Sequence, residues 1–141
     1  MPFDSPFSAL VALRPREQIT LAESALLDAP GGTLALGQLA INPNDWPAGS
    51  SFALEVVLSV SLGSLTGTLA LYNVTDAEAV TGAAVNTSVL TPTKFNTGAL
   101  TVGAAAGNLK NGERIYEVRL SVTGTLVTDI VSLGSAFLLV Q

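Results

Sequence analysis

The chain has 141 residues, of which 48% are hydrophobic and only 12% are charged, and its net charge is −5. Because a typical soluble domain has about 25% charged residues, the composition indicates one domain that buries part of its surface against other protein. The absence of Cys and His excludes disulfides, Cys/His zinc sites, Cys nucleophiles and His general bases. The six basic residues are scattered, which argues against a nucleic-acid partner.

Residues 1–16 are predicted to form an extended N-terminal arm. Three prolines disfavour regular structure there, yet Phe3, Phe7, Leu10 and Val11 are too apolar for a free tail. We recognise no secretory signal in this stretch, since it lacks a basic n-region. The arm either packs on its own domain or reaches a neighbouring subunit. The remaining residues, 17–141, are predicted to form a single domain.

Alternating apolar residues predict strands in the first half of this domain. Residues 19–21 alternate weakly, and residues 22–27 would also suit a short helix. Residues 33–41 change parity at Gly37, which predicts a β-bulge that keeps the apolar side chains on one face. Residues 52–62 alternate strictly and predict a long, half-buried strand. This alternation argues against a membrane span.

The second half of the domain shows the same pattern. After a turn signal at residues 63–64, the run 65–71 continues the alternation, which predicts a hairpin with the preceding strand. A short strand is predicted at 95–102 and a clean one at 114–124. The last run, 130–141, is apolar on both faces, as expected of a strand that is covered on both sides.

These patterns together predict an all-β fold. About eight strands are joined by turns rich in Gly, Pro and Asn, and no amphipathic helix of three turns is visible. The most direct interpretation is a jelly-roll β-sandwich. An immunoglobulin-like sandwich is the alternative.

Candidate catalytic residues are weak. A Ser or Thr nucleophile lacks a His base. Two carboxylate pairs, Asp76 with Glu78 and Glu113 with Glu117, have the residue types of glycoside hydrolysis. The first pair suits an ordinary turn, and Glu117 suits a solvated strand face opposite buried positions. We therefore predict no catalytic residue, no cofactor and no enzyme activity.

Two polar loop segments contain oxygen atoms that could bind a ligand. Residues 42–46 and 73–78 offer two or three oxygen ligands each, without an EF-hand pattern. We predict no metal site, with a calcium ion between loops as the alternative. Trp46 lies in a proline-flanked loop, where it would either stack on a sugar ring or cover the end of the sandwich or a subunit interface. The lone aromatic favours the second reading.

The runs GTLALYNVTDAEAVTG (67–82) and NGERIYEVRLSVTGTLVTDIVSLGSAFLLV (111–140) resemble small all-β proteins of tailed-phage particles. In these an LYNVT strand and turn precede a YEVRL strand and a terminal LGSAFL strand. The type they most resemble is the jelly-roll cement or decoration protein of phage heads. The resemblance covers about residues 50–141 and leaves the arm unmatched.

The resemblance implies a non-enzymatic structural protein on the exterior of the virion, made in the host cytoplasm. Such proteins bind the outside of the capsid shell, bridge neighbouring major capsid subunits and stabilise the expanded head. The expected partners are the major capsid protein and further copies of this chain, as a homo-dimer or homo-trimer, with no nucleic acid and no membrane. The residues predicted to make these contacts are Phe3, Phe7, Leu10, Val11 and Trp46. The alternative is a carbohydrate- or receptor-binding β module of a phage tail or fibre.

Overall fold

The computed structural model describes residues 17–141, which form nine strands in two antiparallel sheets. The predicted arm and its contact residues Phe3, Phe7, Leu10 and Val11 lie outside the described residues. The strands are β1 (Glu17–Ala22), β2 (Ala25–Asp28), β3 (Thr33–Ile41), β4 (Phe52–Val60), β5 (Gly67–Asn73), β6 (Glu78–Thr87), β7 (Thr93–Ala99), β8 (Arg114–Val122) and β9 (Ile130–Val140). Within this part of the chain the only helical segments are 3-10 turns at Ala29–Gly31 and Pro43–Asp45, and no helix is long and apolar enough to cross a membrane.

The strand order is that of a jelly roll. One sheet has the order β1-β9-β4-β7, with β2 also paired to β9, and the other has the order β3-β8-β5-β6. Because β1 and β2 pair with successive parts of β9, they are two halves of one edge strand, and the sandwich has eight strands in this sense. The pairs nest as in a long hairpin rolled up on itself: β1 with β9, β3 with β8, β4 with β7, and β5 with β6. The predicted jelly-roll sandwich is therefore confirmed.

The core lies between the inner faces of the two sheets, where the alternation predicts it. In the central strands the inward side chains are almost fully buried, and the polar ones between them face outward. Each large aliphatic side chain buried in this way contributes about 1.5–3 kcal/mol to folding. The inward residues of β4 and β8 are Phe52, Leu54, Val56, Leu58, Val60, Tyr116, Val118 and Leu120.

The bulge predicted at Gly37 is confirmed. The register between β3 and β8 shifts between Leu36 and Leu39, and Gly37 has a φ of 66°. A Cβ at Gly37 would overlap the carbonyl oxygen of Leu21 on the neighbouring sheet. Glycine is therefore required both by the left-handed backbone and by the close approach of β1.

Two local predictions were wrong. Strand β4 does not form a hairpin with β5, because β4 pairs with β7 and β9 while β5 pairs with β6 and β8 in the other sheet. Residues 61–66 thus carry the chain across the sandwich. The short helix considered for residues 22–27 is also absent, because β2 pairs with β9 and places Leu27 in the core beside Val131.

Candidate assembly surface

Trp46 lies at the end of the sandwich where Glu17 and Gln141 also lie. It follows the 3-10 turn Pro43–Asp45, and its ring packs edge-on against Phe52 with centroids 5.7 Å apart. The indole Nε1 donates a hydrogen bond of 2.7 Å to Glu17 Oε2. Trp46 therefore covers one end of the core and contacts Glu17, the first residue that the structure describes. Its role in a contact between subunits stays a prediction.

The opposite end of the sandwich carries four loops and an apolar surface. The loops are residues 29–32, 61–66, 88–92 and 123–129. Five of the eight exposed large apolar side chains of the described chain lie in them, and these five are here named the apolar end surface: Leu62 (50% exposed), Val89 (39%), Leu90 (61%), Leu126 (60%) and Val127 (67%). The four loops contain one charged residue, Asp129, and it is buried. These loops therefore present aliphatic groups to solvent without an exposed charge of their own, and the charged side chains Asp28 and Lys94 lie at their edges.

Asp129 gives the loop between β8 and β9 a defined shape. Its Oδ2 accepts hydrogen bonds from the backbone N–H groups of Thr125 and Leu126, at 3.0 and 2.9 Å. Gly124 has a φ of 109°, and a Cβ on it would stand 2.5 Å from the same carboxylate oxygen. Because the carboxylate fixes the turn from within, Leu126 and Val127 are left on the outside.

Hydrogen bonds join three of the loops into one unit. Val60 N–H donates to the Val89 carbonyl at 2.9 Å, which ties the end of β4 to the loop after β6. The Ser61 hydroxyl donates to the Thr128 carbonyl at 2.8 Å and accepts from Ile130 N–H at 2.9 Å. Loops held in this way lose less entropy on binding than free loops do.

The carboxylates considered for catalysis are engaged in ion pairs at the Trp46 end. Arg114 Nε lies 2.9 Å from Asp76 Oδ2, and the Asn73 side chain donates to the same oxygen at 2.9 Å. The hydrogen bond from Arg114 lowers the pKa of Asp76 in spite of partial desolvation. The contact with Lys110 likewise lowers the pKa of Glu78. Both groups are therefore carboxylates at neutral pH, and neither is suited to act as a general acid.

The Lys110 ammonium occupies an oxygen-lined position of its own. Its Nζ lies 2.6 Å from the Ala105 carbonyl, 3.3 Å from the Ala104 carbonyl and 2.9 Å from Glu78 Oε1. The oxygens that residues 73–78 would offer a calcium ion thus already face a cation. No group of three or more Asp or Glu residues that could hold a metal occurs within residues 17–141. A polar cavity of about 380 Å³ beside this cluster is lined by these paired charges.

One detail of the prediction for the second carboxylate pair was wrong. Glu113 is exposed, as a turn residue would be, but Glu117 is buried and does not lie on a solvated face. Its carboxylate contacts Gln38 Nε2 and Arg119 Nε, both at 3.5 Å. Arg119 in turn stacks over the Tyr72 ring at 3.4 Å, so that long side chains cover Glu117 on the outer face of the sheet.

The apolar end surface was missed by the sequence reasoning. Its residues stand singly or in pairs among Gly, Ser and Thr, so they carry no periodicity that marks a face. The signal that was available is the combination of large aliphatic residues with turn residues in three loops that hold a single charged residue, Asp129. Loops of a soluble monomer are ordinarily polar.

Comparisons with known proteins support the fold. No protein-family profile and no curated protein matches the sequence. Among solved structures, a chain of the T13 IBDV viral particle matches with a TM-score of 0.54 and 17% identity, over 89% of this chain and 30% of that chain. Chains from infectious bursal disease virus match similarly. For the Gt strain the TM-score is 0.52 at 17% identity, over 91% of this chain and 32% of the other. For the Gx strain it is 0.53 at 18%, over 90% and 32%. The chain thus spans about a third of the proteins with which it shares its fold.

Proposed function

We propose that this chain is a non-enzymatic structural protein of a virus particle, and in particular a cement or decoration protein of a tailed-phage head. The observation that carries the proposal is the jelly-roll sandwich, which matches chains of a viral particle over about nine-tenths of this chain. The resemblance of residues 67–82 and 111–140 to phage cement proteins supplies the finer assignment. In this role the protein binds the outside of the shell and bridges neighbouring major capsid subunits.

The chemistry of the described residues supports a binding role. The carboxylates Asp76 and Glu78 have lowered pKa values because they pair with Arg114 and Lys110. The hydroxyl of Tyr116 has a raised pKa because it is buried, and it accepts a hydrogen bond from the Lys110 N–H at 3.2 Å. Each of these groups holds loops or core together, and the exposed large apolar side chains remain available for contacts.

Cementing a shell requires only modest energy at each contact. Apolar burial contributes about 25 cal/mol per Å², so a few hundred Å² at one site is enough for weak binding. A protein that bridges two shell subunits engages both at once, which raises its effective concentration at the second site. Many such bridges hold an expanded shell against internal pressure.

Binding to shells tests the proposal. Expanded heads that lack the protein are mixed with the purified chain and sedimented, and the heating temperature at which the heads burst is recorded. We expect saturable co-sedimentation and a higher bursting temperature. A variant without residues 2–13 is the test of the arm, and we expect it to bind more weakly. Failure of the full chain to bind expanded heads at any concentration would contradict the proposal.

A carbohydrate- or receptor-binding module is the second candidate, and one observation favours it. A cavity of about 200 Å³ lies beside Trp46 and is lined by Asn44, Phe52 and Asn111, among others. An aromatic ring with amide groups nearby is the usual combination of a sugar site. The Trp46 ring, however, already packs against Phe52, and its N–H already donates a hydrogen bond to Glu17. This candidate predicts that a glycan quenches the Trp46 fluorescence in a saturable way.

A further inference from the structure

We propose that the apolar end surface binds a second copy of this chain, so that two sandwiches meet through the loops 61–66, 88–92 and 123–129. The inference deepens the proposed function, on which it rests for its role in a particle. The association itself is a property of the isolated protein. It concerns the end of the sandwich opposite Trp46.

The size of the surface is the first argument. Each of its five side chains is between 39% and 67% exposed. Scaled by the apolar area that full burial of a Leu or Val side chain removes from water, these exposures add up to roughly 300 Å² per copy. Apolar patches of about 300–600 Å² are the largest on ordinary monomers and often mark binding sites. A standard interface buries about 800 Å² per partner, of which somewhat more than half is apolar. The apolar end surface therefore supplies much of the apolar centre of such an interface.

Charge identifies the occupant as another copy. The chain has a net charge of −5, so two copies repel each other wherever their exposed carboxylates meet. The four loops contain no exposed charged side chain, since their single charge, Asp129, is buried. A two-fold contact requires a surface that is complementary to itself. An uncharged aliphatic surface meets this requirement, whereas a surface built for an oppositely charged partner does not.

The construction of the loops is the third argument. Asp129 fixes the turn that presents Leu126 and Val127, and Ser61 and Val60 join this turn to the two other loops. Exposed aliphatic groups on a loop that moves freely would collapse onto the domain. Here the backbone hydrogen bonds keep them in place, which is the preorganisation expected of a binding surface.

Sedimentation of the isolated full-length chain over a range of concentrations tests the inference. We expect the wild-type chain to associate reversibly, and the double variant Leu62→Ser/Leu126→Ser to associate at least about tenfold more weakly. The variant Leu126→Lys provides a second test of the surface. In a contact between two copies, both would bring a lysine charge into the same interface, where the two charges repel each other. Association of this variant should be weaker still and should recover in part at high salt. These residues are exposed, so the variants are expected to keep the wild-type circular dichroism spectrum.

The matched control is Ile115→Ser. Ile115 is 42% exposed at the Trp46 end, so this substitution removes a similar apolar group from the other end, and association should stay within about threefold of wild type. A wild-type chain that stays monomeric at every concentration overturns the inference. So does equal weakening by the control, or no weakening by the double variant. Absence of the protein from particles, with association through this surface intact, would overturn only the proposed function.

Discussion

The carboxylate of Asp129 is expected to set the shape and much of the stability of the loop between β8 and β9. The substitution Asp129→Ala removes an acceptor that takes two backbone N–H groups, from Thr125 and Leu126, at 3.0 and 2.9 Å. Hydrogen bonds to a charged group contribute about 1.5–3 kcal/mol each. The freed N–H groups lie in a solvent-facing loop and regain water, so the combined loss falls at the lower end of this range, at about 3 kcal/mol.

Urea denaturation at neutral pH measures this loss, and hydrogen exchange locates it. The protein should remain folded, because domains of this size have about 5–15 kcal/mol of stability. Exchange of the Thr125 and Leu126 amides should become faster by at least about tenfold through local opening of the loop. Amides in β8 should become faster only by the factor that corresponds to the loss of global stability.

Asp129→Asn is the control, because it keeps an acceptor oxygen in the same place and removes only the charge. We expect it to lose less stability than Asp129→Ala and to retain most of the amide protection. A loss below about 0.5 kcal/mol for Asp129→Ala, with unchanged exchange at Thr125 and Leu126, would refute the reasoning that Asp129 holds this loop.

Three further predictions concern other parts of the sandwich. Gly37→Ala should destabilise the protein by about 3–5 kcal/mol in urea denaturation, because the added Cβ meets backbone. Gly32→Ala, at a φ of 72° with open space around it, carries only the cost of the backbone conformation and should lose about 1–3 kcal/mol. Equal losses for the two variants would contradict the packing argument. The lowered pKa values of Asp76 and Glu78 stabilise the fold above their ordinary values near 4. Stability should therefore decline as the pH falls from about 5 to 2 through the lowered values, and a urea midpoint that is constant over this range would be inconsistent with the ion pairs. Lys110→Met removes the ammonium from the Ala104 and Ala105 carbonyls. Hydrogen exchange in residues 100–113 should therefore become faster by at least about tenfold. Unchanged exchange would show that the ammonium does not hold the segment.

Sequence periodicity predicted most of the strands, but it gave no strand for β6, left β2 open to a short helix, and did not show which strands pair. The parity change at Gly37 predicted the bulge because only glycine tolerates that backbone and the close approach of Leu21. The predicted hairpin of β4 with β5 failed for a related reason. In a sandwich both sheets turn apolar residues inward, so a chain that crosses between sheets shows the same alternation as one that turns back within a sheet.

The buried charges and the apolar end surface depend on contacts that are distant in sequence. Glu117 was predicted to be solvated because its neighbours alternate, but Gln38 on β3 contacts its carboxylate, and the ring of Tyr72 on β5 packs against the neighbouring Arg119. The four loops of the apolar end come together only because the jelly roll gathers every second connection at one end. No local pattern in the loop residues carries that information, so topology had to be known first.

The copy number of this protein in particles tests the central claim most directly. Particles purified from the source are separated on a denaturing gel, and the band of 14.4 kDa is quantified against the major shell protein. A cement protein that covers the shell lattice predicts a ratio near one to one. A few copies per particle would favour the tail or fibre alternative, and complete absence from purified particles would contradict the structural role.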